Sequence, residues 1–108
     1  MTFPTFQTLY HLACLSKDFN SFADRAKEYD PDSYLANRGI LYSIWLFSVD
    51  HSSTKVRDLS GLTRAAFCRQ YGLQERTVTN WDNKKTYPTD WALNLLCYAV
   101  LQQVLEKD

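Results

Sequence analysis

The sequence predicts an all-α protein, a small helical bundle, on three observations. β-Branched residues are few, apolar and polar residues do not alternate over any useful length, and there is no asparagine-glycine or aspartate-glycine hairpin turn. Apolar residues instead recur at helical spacing behind residues that cap helices. The chain of 108 residues is 45% hydrophobic with only three Gly and three Pro, so it has enough apolar residues for one core and is poorly suited to disorder.

Two short amphipathic helices are expected at the start of the chain. Pro4 favours the first turn of one helix, and Ser16 or Asp18 is a suitable N-cap for the second. The positions expected to be buried are Phe6, Leu9, Tyr10 and Ala13 in the first helix and Phe19, Phe22, Ala23 and Ala26 in the second.

A third helix is predicted to start within Asp30-Pro31-Asp32-Ser33, which combines a capping carboxylate with proline at the first helical position. We expect this helix to continue to about Val49. Because its apolar residues cover more than one narrow stripe, we expect neighbouring helices to pack on it from both sides.

The polar, serine-rich interval from Asp50 to Thr54 is expected to link two parts of different charge. Residues 1–52 carry four basic and six acidic side chains, a net charge of −2, and are expected to form an N-terminal helical extension for packing or association. Residues 53–108 carry eight basic and six acidic side chains, a net charge of +2. The neutral total therefore conceals a more basic C-terminal half.

Short helices separated by glycine are predicted in this more basic half. Val56 and Leu59 suit one or two helical turns that end at Gly61. Thr63 is then a suitable N-cap for a helix over residues 64–71, and Gly72 is expected to end that helix in the left-handed conformation. The inward face of this helix is expected to consist of Ala65, Phe67 and Cys68, with Leu62 as a leading apolar contact.

Another short helix is predicted from Glu75 to Asp82, after a turn of only a few residues. Val78 and Trp81 lie on its inward side. The other side carries residue types that hydrogen-bond to base edges: arginine to guanine, asparagine to adenine, glutamate to cytosine and threonine to several groups. These outward residues are Glu75, Arg76, Thr79, Asn80 and Asn83.

Three stretches of this half form a recognisable combination. They are LTRAAFCRQYGL at residues 62–73, RTVTNWD at residues 76–82, and Pro88 followed by Leu95-Leu96. Together they resemble the Cro/repressor-type (Xre) helix-turn-helix superfamily over roughly residues 54–103. The sequence departs from the family pattern at Cys68, where alanine is usual, and at Lys84, where a glycine often closes the second helix of the motif.

The resemblance implies a helix-turn-helix within the bundle and sequence-specific binding of double-stranded DNA, in a bacterial or phage transcriptional regulator. Helix 75–82 would enter the major groove, with base contacts from Glu75, Arg76, Thr79 and Asn80. Helix N-termini, lysine and arginine attract phosphate without reading sequence. The positions that would contact the DNA phosphates are Thr63, Arg64, Thr77, Asn83, Lys84 and Lys85.

A last helix that is apolar nearly all round is predicted to begin at Pro88. Such a helix must be covered by the N-terminal helices, by a second copy of the protein, or by both. A homodimer through this C-terminal helix would suit DNA binding, because a two-fold axis would place two recognition helices about 34 Å apart on a palindromic site. If residues 1–49 cover the helix entirely, the protein is instead a monomer.

The sequence argues against an enzyme, a metal site and a cofactor. Cys14, Cys68 and Cys97 are widely separated and are interpreted as small buried residues, and His11 and His51 have no partners at ligand spacing. There is no nucleophile elbow and no glycine-rich phosphate loop. We expect no membrane span and no signal peptide, and therefore a cytoplasmic protein.

A second hypothesis is a protein-interaction module, such as the antitoxin of a toxin–antitoxin pair, in which residues 1–50 bind a partner protein. The two hypotheses differ in how they use six N-terminal aromatic residues. Burial of these residues inside the chain favours the regulator, whereas an exposed aromatic patch favours a protein partner. The six residues are Phe3, Phe6, Tyr10, Phe19, Phe22 and Tyr29.

Overall fold

The computed structural model describes residues 1–31 and 38–107, which form seven helices and no strand. The prediction of an all-α protein is therefore confirmed. The chain divides into two compact units, Met1–Asp50 and His51–Asp108, a boundary two residues before the expected one. None of the described helices is both long and apolar enough to cross a membrane.

The first unit contains α1 (Phe3–Cys14), α2 (Phe19–Tyr29) and α3 (Arg38–Val49). Pro4 lies in the first turn of α1, as expected. Asp18 rather than Ser16 caps α2, and its carboxylate accepts a hydrogen bond from the Ser21 amide at 2.8 Å. This backbone hydrogen bond lowers the pKa of the Asp18 carboxyl. The start of this helix is predicted within residues 30–33, of which 32 and 33 lie outside the described residues, and its predicted end at Val49 is confirmed.

The core of the first unit joins α3 to both α1 and α2. The Phe47 ring lies 6.4 Å from Phe6 and 5.3 Å from Tyr10 of α1, measured between centroids. On the other side, Trp45 stacks on Phe22 of α2 at 6.3 Å. The expectation that helices pack on α3 from both sides is therefore confirmed. The residues buried in this core are Phe6, Leu9, Ala13, Phe22, Ala23, Ala26, Ile40, Leu41, Ile44 and Phe47, whereas Tyr10 and Phe19 are only half-buried.

The second unit contains α4 (Ser53–Ser60), α5 (Arg64–Tyr71), α6 (Glu75–Asp82) and α7 (Asp90–Lys107). The bounds of α5 and α6 are those predicted. Helix α4 lies at the centre of this unit, because it packs against α5, α6 and α7. The buried residues of the unit are Val56, Phe67, Cys68, Val78, Leu93, Asn94, Cys97, Val100 and Leu101.

Four expectations need correction. The linker expected over residues 50–54 is shorter, because the Ser52 side chain caps α4 and the helix begins at Ser53. Ala65 is exposed, since only Phe67 and Cys68 of its helix reach the core. Cys14 is also exposed, at the last turn of α1. Helix α7 begins two residues after Pro88, where the Thr89 hydroxyl accepts a hydrogen bond from the Ala92 amide at 3.2 Å.

Two glycines end helices where the sequence predicts, and Gly72 also has the left-handed conformation expected of it. Gly61 and Gly72 have φ angles of +70° and +66°, in the left-handed region that glycine adopts without steric cost. The turn at Gly72 separates α5 from α6 and is closed by a hydrogen bond from the Leu73 amide to the Cys68 carbonyl at 2.9 Å. Helix α5, this turn and α6 therefore form a helix-turn-helix.

Candidate nucleic-acid interface

Helix α6 is fixed to the second unit by its apolar side. Val78 is 2% exposed and Phe67 of the preceding helix is 1% exposed. Helices α5 and α6 therefore pack against each other and against α4 through side chains that are excluded from solvent. Trp81 is half-buried beside them. The inward side predicted for α6 is therefore the one that packs, and the orientation of its other side follows from this contact.

The polar side of α6 contains the four residues expected to contact bases. Glu75 and Arg76 are exposed, and Thr79 and Asn80 are half-buried. Glu75 and Thr79 are four residues apart, as are Arg76 and Asn80, so the four side chains form two adjacent rows along one side of the helix. The structure therefore brings all four predicted base contacts together.

The loop after α6 begins with an unusual lysine conformation. Lys84 has a φ of +60°, and no other residue except glycine has a positive φ in the described part of the chain. Its amide donates to the Trp81 carbonyl at 3.1 Å and the Lys85 amide donates to the Asn80 carbonyl at 2.9 Å, the two hydrogen bonds of a Schellman helix end. The backbone thus has a geometry that glycine adopts without steric cost, while the side chain contributes a positive charge.

An ion cluster that the sequence analysis did not anticipate joins α4, α5 and α6. Arg57 Nη1 donates to both oxygens of the Asp82 carboxylate, at 3.2 Å to Oδ1 and 2.9 Å to Oδ2. Arg64 Nη2 lies 2.8 Å from the same Oδ2. The Asp82 side chain is 13% exposed and the Arg57 side chain 18%, so this part of the cluster is largely withdrawn from solvent. The acid that ends α6 is therefore held by one arginine from each of the other two helices.

The six residues expected to contact phosphate are in different situations. Lys84, Lys85 and Asn83 are exposed in or beside the loop after α6, and Thr77 is half-buried within the helix. Thr63 is exposed at the start of α5, but its hydroxyl also accepts a hydrogen bond from the Ala66 amide at 3.2 Å. Arg64 contacts Asp82 and also donates to Thr79 Oγ1 at 3.3 Å. Among these six residues, and within the described part of the chain, only Arg64 reaches α6 from another helix through a side-chain hydrogen bond or ion pair.

Two concave regions lie near the helix-turn-helix. A cavity of about 340 Å³ beside the end of α6 has walls of mixed charge, with Lys84 next to Asp82 and Asp90. An apolar groove of about 290 Å³ lies between the helix-turn-helix and one side of α7. In this groove Trp91 is 63% exposed and Leu95 is 38% exposed, so part of α7 remains uncovered.

The described residues contain no group of three or more histidine, cysteine or acidic side chains placed to hold a metal ion. Burial raises the pKa of the Cys68 and Cys97 thiols, which favours the protonated form over the thiolate that binds metals and attacks electrophiles. His51 has a structural contact instead, because its Nε2 lies 2.8 Å from Oδ1 of the buried Asn94. This hydrogen bond joins the start of the second unit to α7.

Comparisons of the sequence with protein-family models, with curated proteins and with solved structures found no match.

Proposed function

We propose that the second unit binds duplex DNA in a sequence-specific manner, with α6 in the major groove, and that the protein is a bacterial or phage transcriptional regulator. The observation that carries this proposal is the two-sided character of α6. Its apolar side is packed through Val78, and its polar side presents residues of the types that read base edges. An α-helix with this arrangement, next to a short glycine turn, suits insertion into the groove.

The charges around α6 support the same function. Lys84 and Lys85 follow the helix directly and are exposed, so they are suited to contact the phosphates that border the groove. Lys84 also adopts a backbone conformation that costs free energy for any residue with a side chain. A functional use of the lysine side chain would explain its presence there in place of glycine.

A homodimer through α7 is part of the proposal. One stripe of α7 is buried against α4, and the exposed Trp91 and Leu95 lie on a different stripe. Contact between two copies through this second stripe would cover the apolar groove. Two recognition helices would then read a palindromic site with half-sites about one helical turn apart.

The experiment that tests this function is selection of bound duplexes from a random pool by the purified full-length protein, followed by sequencing, at two salt concentrations. Enrichment of a palindromic motif would support a dimeric regulator and would give the spacing of the half-sites. If no motif is enriched, and weak binding disappears at moderate salt, the proposed function is wrong, because only the sequence-independent phosphate attraction would remain.

The second candidate function, a partner-binding module of the antitoxin type, draws support from residues exposed on the first unit. Tyr29 and Tyr42 are about half exposed, and Leu15 and Val49 are more exposed still. Five of the six N-terminal aromatics are nevertheless buried or half-buried, which favours an internal packing role for this unit. Capture of a specific protein by the full-length chain, lost on substitution of these exposed residues, would support the second candidate.

A further inference from the structure

The Arg64 guanidinium contacts α6 at two residues that are one helical turn apart. Its Nη1 donates to Thr79 Oγ1 at 3.3 Å, and its Nη2 lies 2.8 Å from Asp82 Oδ2. Residues three apart lie on the same side of a helix, so one planar guanidinium reaches both side chains. The position of Arg64 above α6 is therefore determined by two separate contacts.

The contact with Asp82 is the stronger of the two, because it joins opposite charges. The Asp82 carboxylate is held from its other side by Arg57, and only 13% of its side chain is exposed. The ion pair keeps the Arg64 guanidinium beside Thr79. The Asp82 carboxylate also offsets part of the guanidinium's positive charge, which would otherwise attract a DNA phosphate. The geometry therefore favours contact with α6 over contact with the DNA backbone.

The contact with Thr79 also fixes the direction of a hydrogen bond. A guanidinium has only donors, so Thr79 Oγ1 must be the acceptor. The threonine hydroxyl has one proton of its own, and within residues 1–31 and 38–104 no hydrogen bond donated by that hydroxyl is found. On the polar side of α6, Thr79 thus offers a donor to a group outside the protein.

We infer that Arg64 is a positioning residue for base recognition, which holds Thr79 as a hydrogen-bond donor toward an acceptor in the major groove. This inference rests on the proposed function and specifies one part of it. Suitable acceptors are guanine O6 and N7, adenine N7 or thymine O4, whereas the cytosine amino group is itself a donor and is disfavoured opposite Thr79. The role differs from the phosphate contact that the family resemblance implied for Arg64.

The test compares wild type with Arg64→Met, Thr79→Val and the double variant by selection from random duplexes and by affinity at several salt concentrations. Arg69→Met is the matched control, since it removes the same charge from an exposed position on the same helix. Both single variants should lose discrimination at the same base pair by about tenfold, and the double variant should lose no more than either. Thr79→Ser, which keeps the hydroxyl, should keep the preference, and Arg69→Met should leave the motif unchanged.

The salt dependence separates positioning from phosphate contact. The slope of log affinity against log salt should be the same for wild type and Arg64→Met, because no phosphate contact is lost. Uniform weakening on all sequences, with the slope reduced by about one, would overturn the inference and assign Arg64 to the DNA backbone. If wild type itself enriches no motif, the proposed function fails. If wild type enriches a motif that Arg64→Met does not alter, the proposed function stands and the inference about Arg64 is wrong. Thermal unfolding of each variant checks that the fold is kept, and Arg57 still pairs with Asp82 when Arg64 is replaced.

Discussion

The Asp82 carboxylate, at the last residue of α6, accepts hydrogen bonds from Arg57 of α4 through both of its oxygens, at 3.2 and 2.9 Å. These residues are 25 positions apart in the sequence, so the contact ties the end of α6 to the centre of its unit. The direction in which α6 presents its polar side thus depends on an ion pair as well as on apolar packing.

Replacement of Asp82 by asparagine should destabilise the protein. The amide retains the shape but leaves the largely buried Arg57 without a charged acceptor, so Asp82→Asn should lower the free energy of unfolding by about 2 kcal/mol. Urea denaturation measures this change. Asp58→Asn, at an exposed acid of α4, is the control and should change stability by less than about 0.5 kcal/mol. Equal effects of the two variants would show that the cluster does not support the fold.

Replacement of Lys84 by glycine should stabilise the protein. Glycine adopts the observed φ of +60° without the steric cost of a β-carbon, although it also gains freedom in the unfolded chain. The net increase in the free energy of unfolding should be roughly 0.5 to 1 kcal/mol. Lys85→Gly removes the same charge at a position without positive φ and should not stabilise. If both variants increase the free energy of unfolding, the cause is instead relief of charge repulsion between the two lysines.

The N-cap of α2 should make stability depend on pH in the acid range. The pKa of Asp18 is lowered by its hydrogen bond with the Ser21 amide, so its contribution to stability is fully present above the ordinary pKa of an aspartate carboxyl, about 3.9, and is lost as pH falls through the folded pKa. The difference in melting temperature between wild type and Asp18→Ala should therefore shrink below about pH 4. A difference that stays constant down to pH 2 would exclude the ionised carboxylate as the cap.

Much of the second unit could be predicted from the sequence because its signals are local. Thr63 and Gly72 mark the two ends of α5, and the apolar spacing of Val78 and Trp81 orients α6, so these features follow from a few adjacent residues. The four proposed base contacts lie on one side of α6 for the same reason. Local signals also placed the starts of α1 and α2 near their observed positions.

What the sequence could not show depends on contacts between distant residues. The pairing of Arg57 and Arg64 with Asp82 requires the packing of three helices, which no short pattern specifies. Cys14 and Ala65 were expected in the core by residue type, yet their positions on α1 and α5 leave them exposed. The left-handed conformation of Lys84 could not be predicted either, because a lysine gives no local signal for positive φ.

Lys85 should contact the DNA backbone without reading its sequence. It is exposed in the loop after α6, next to the residues proposed to enter the groove. Lys85→Ala should weaken binding to every duplex alike and should reduce the salt slope by about one, as expected for loss of one phosphate contact. Fluorescence anisotropy over a salt series measures both quantities. An unchanged slope would remove Lys85 from the proposed interface.

The most direct test of the account uses Arg76, which is exposed on the polar side of α6. Wild type and Arg76→Ala are compared on the duplex enriched by selection and on a scrambled duplex of the same composition. The account predicts a loss of about 1 to 3 kcal/mol on the enriched duplex, relaxed preference at one base pair, and little change on the scrambled one. Equal loss on both duplexes, or no enriched duplex at all, would contradict sequence reading by this helix.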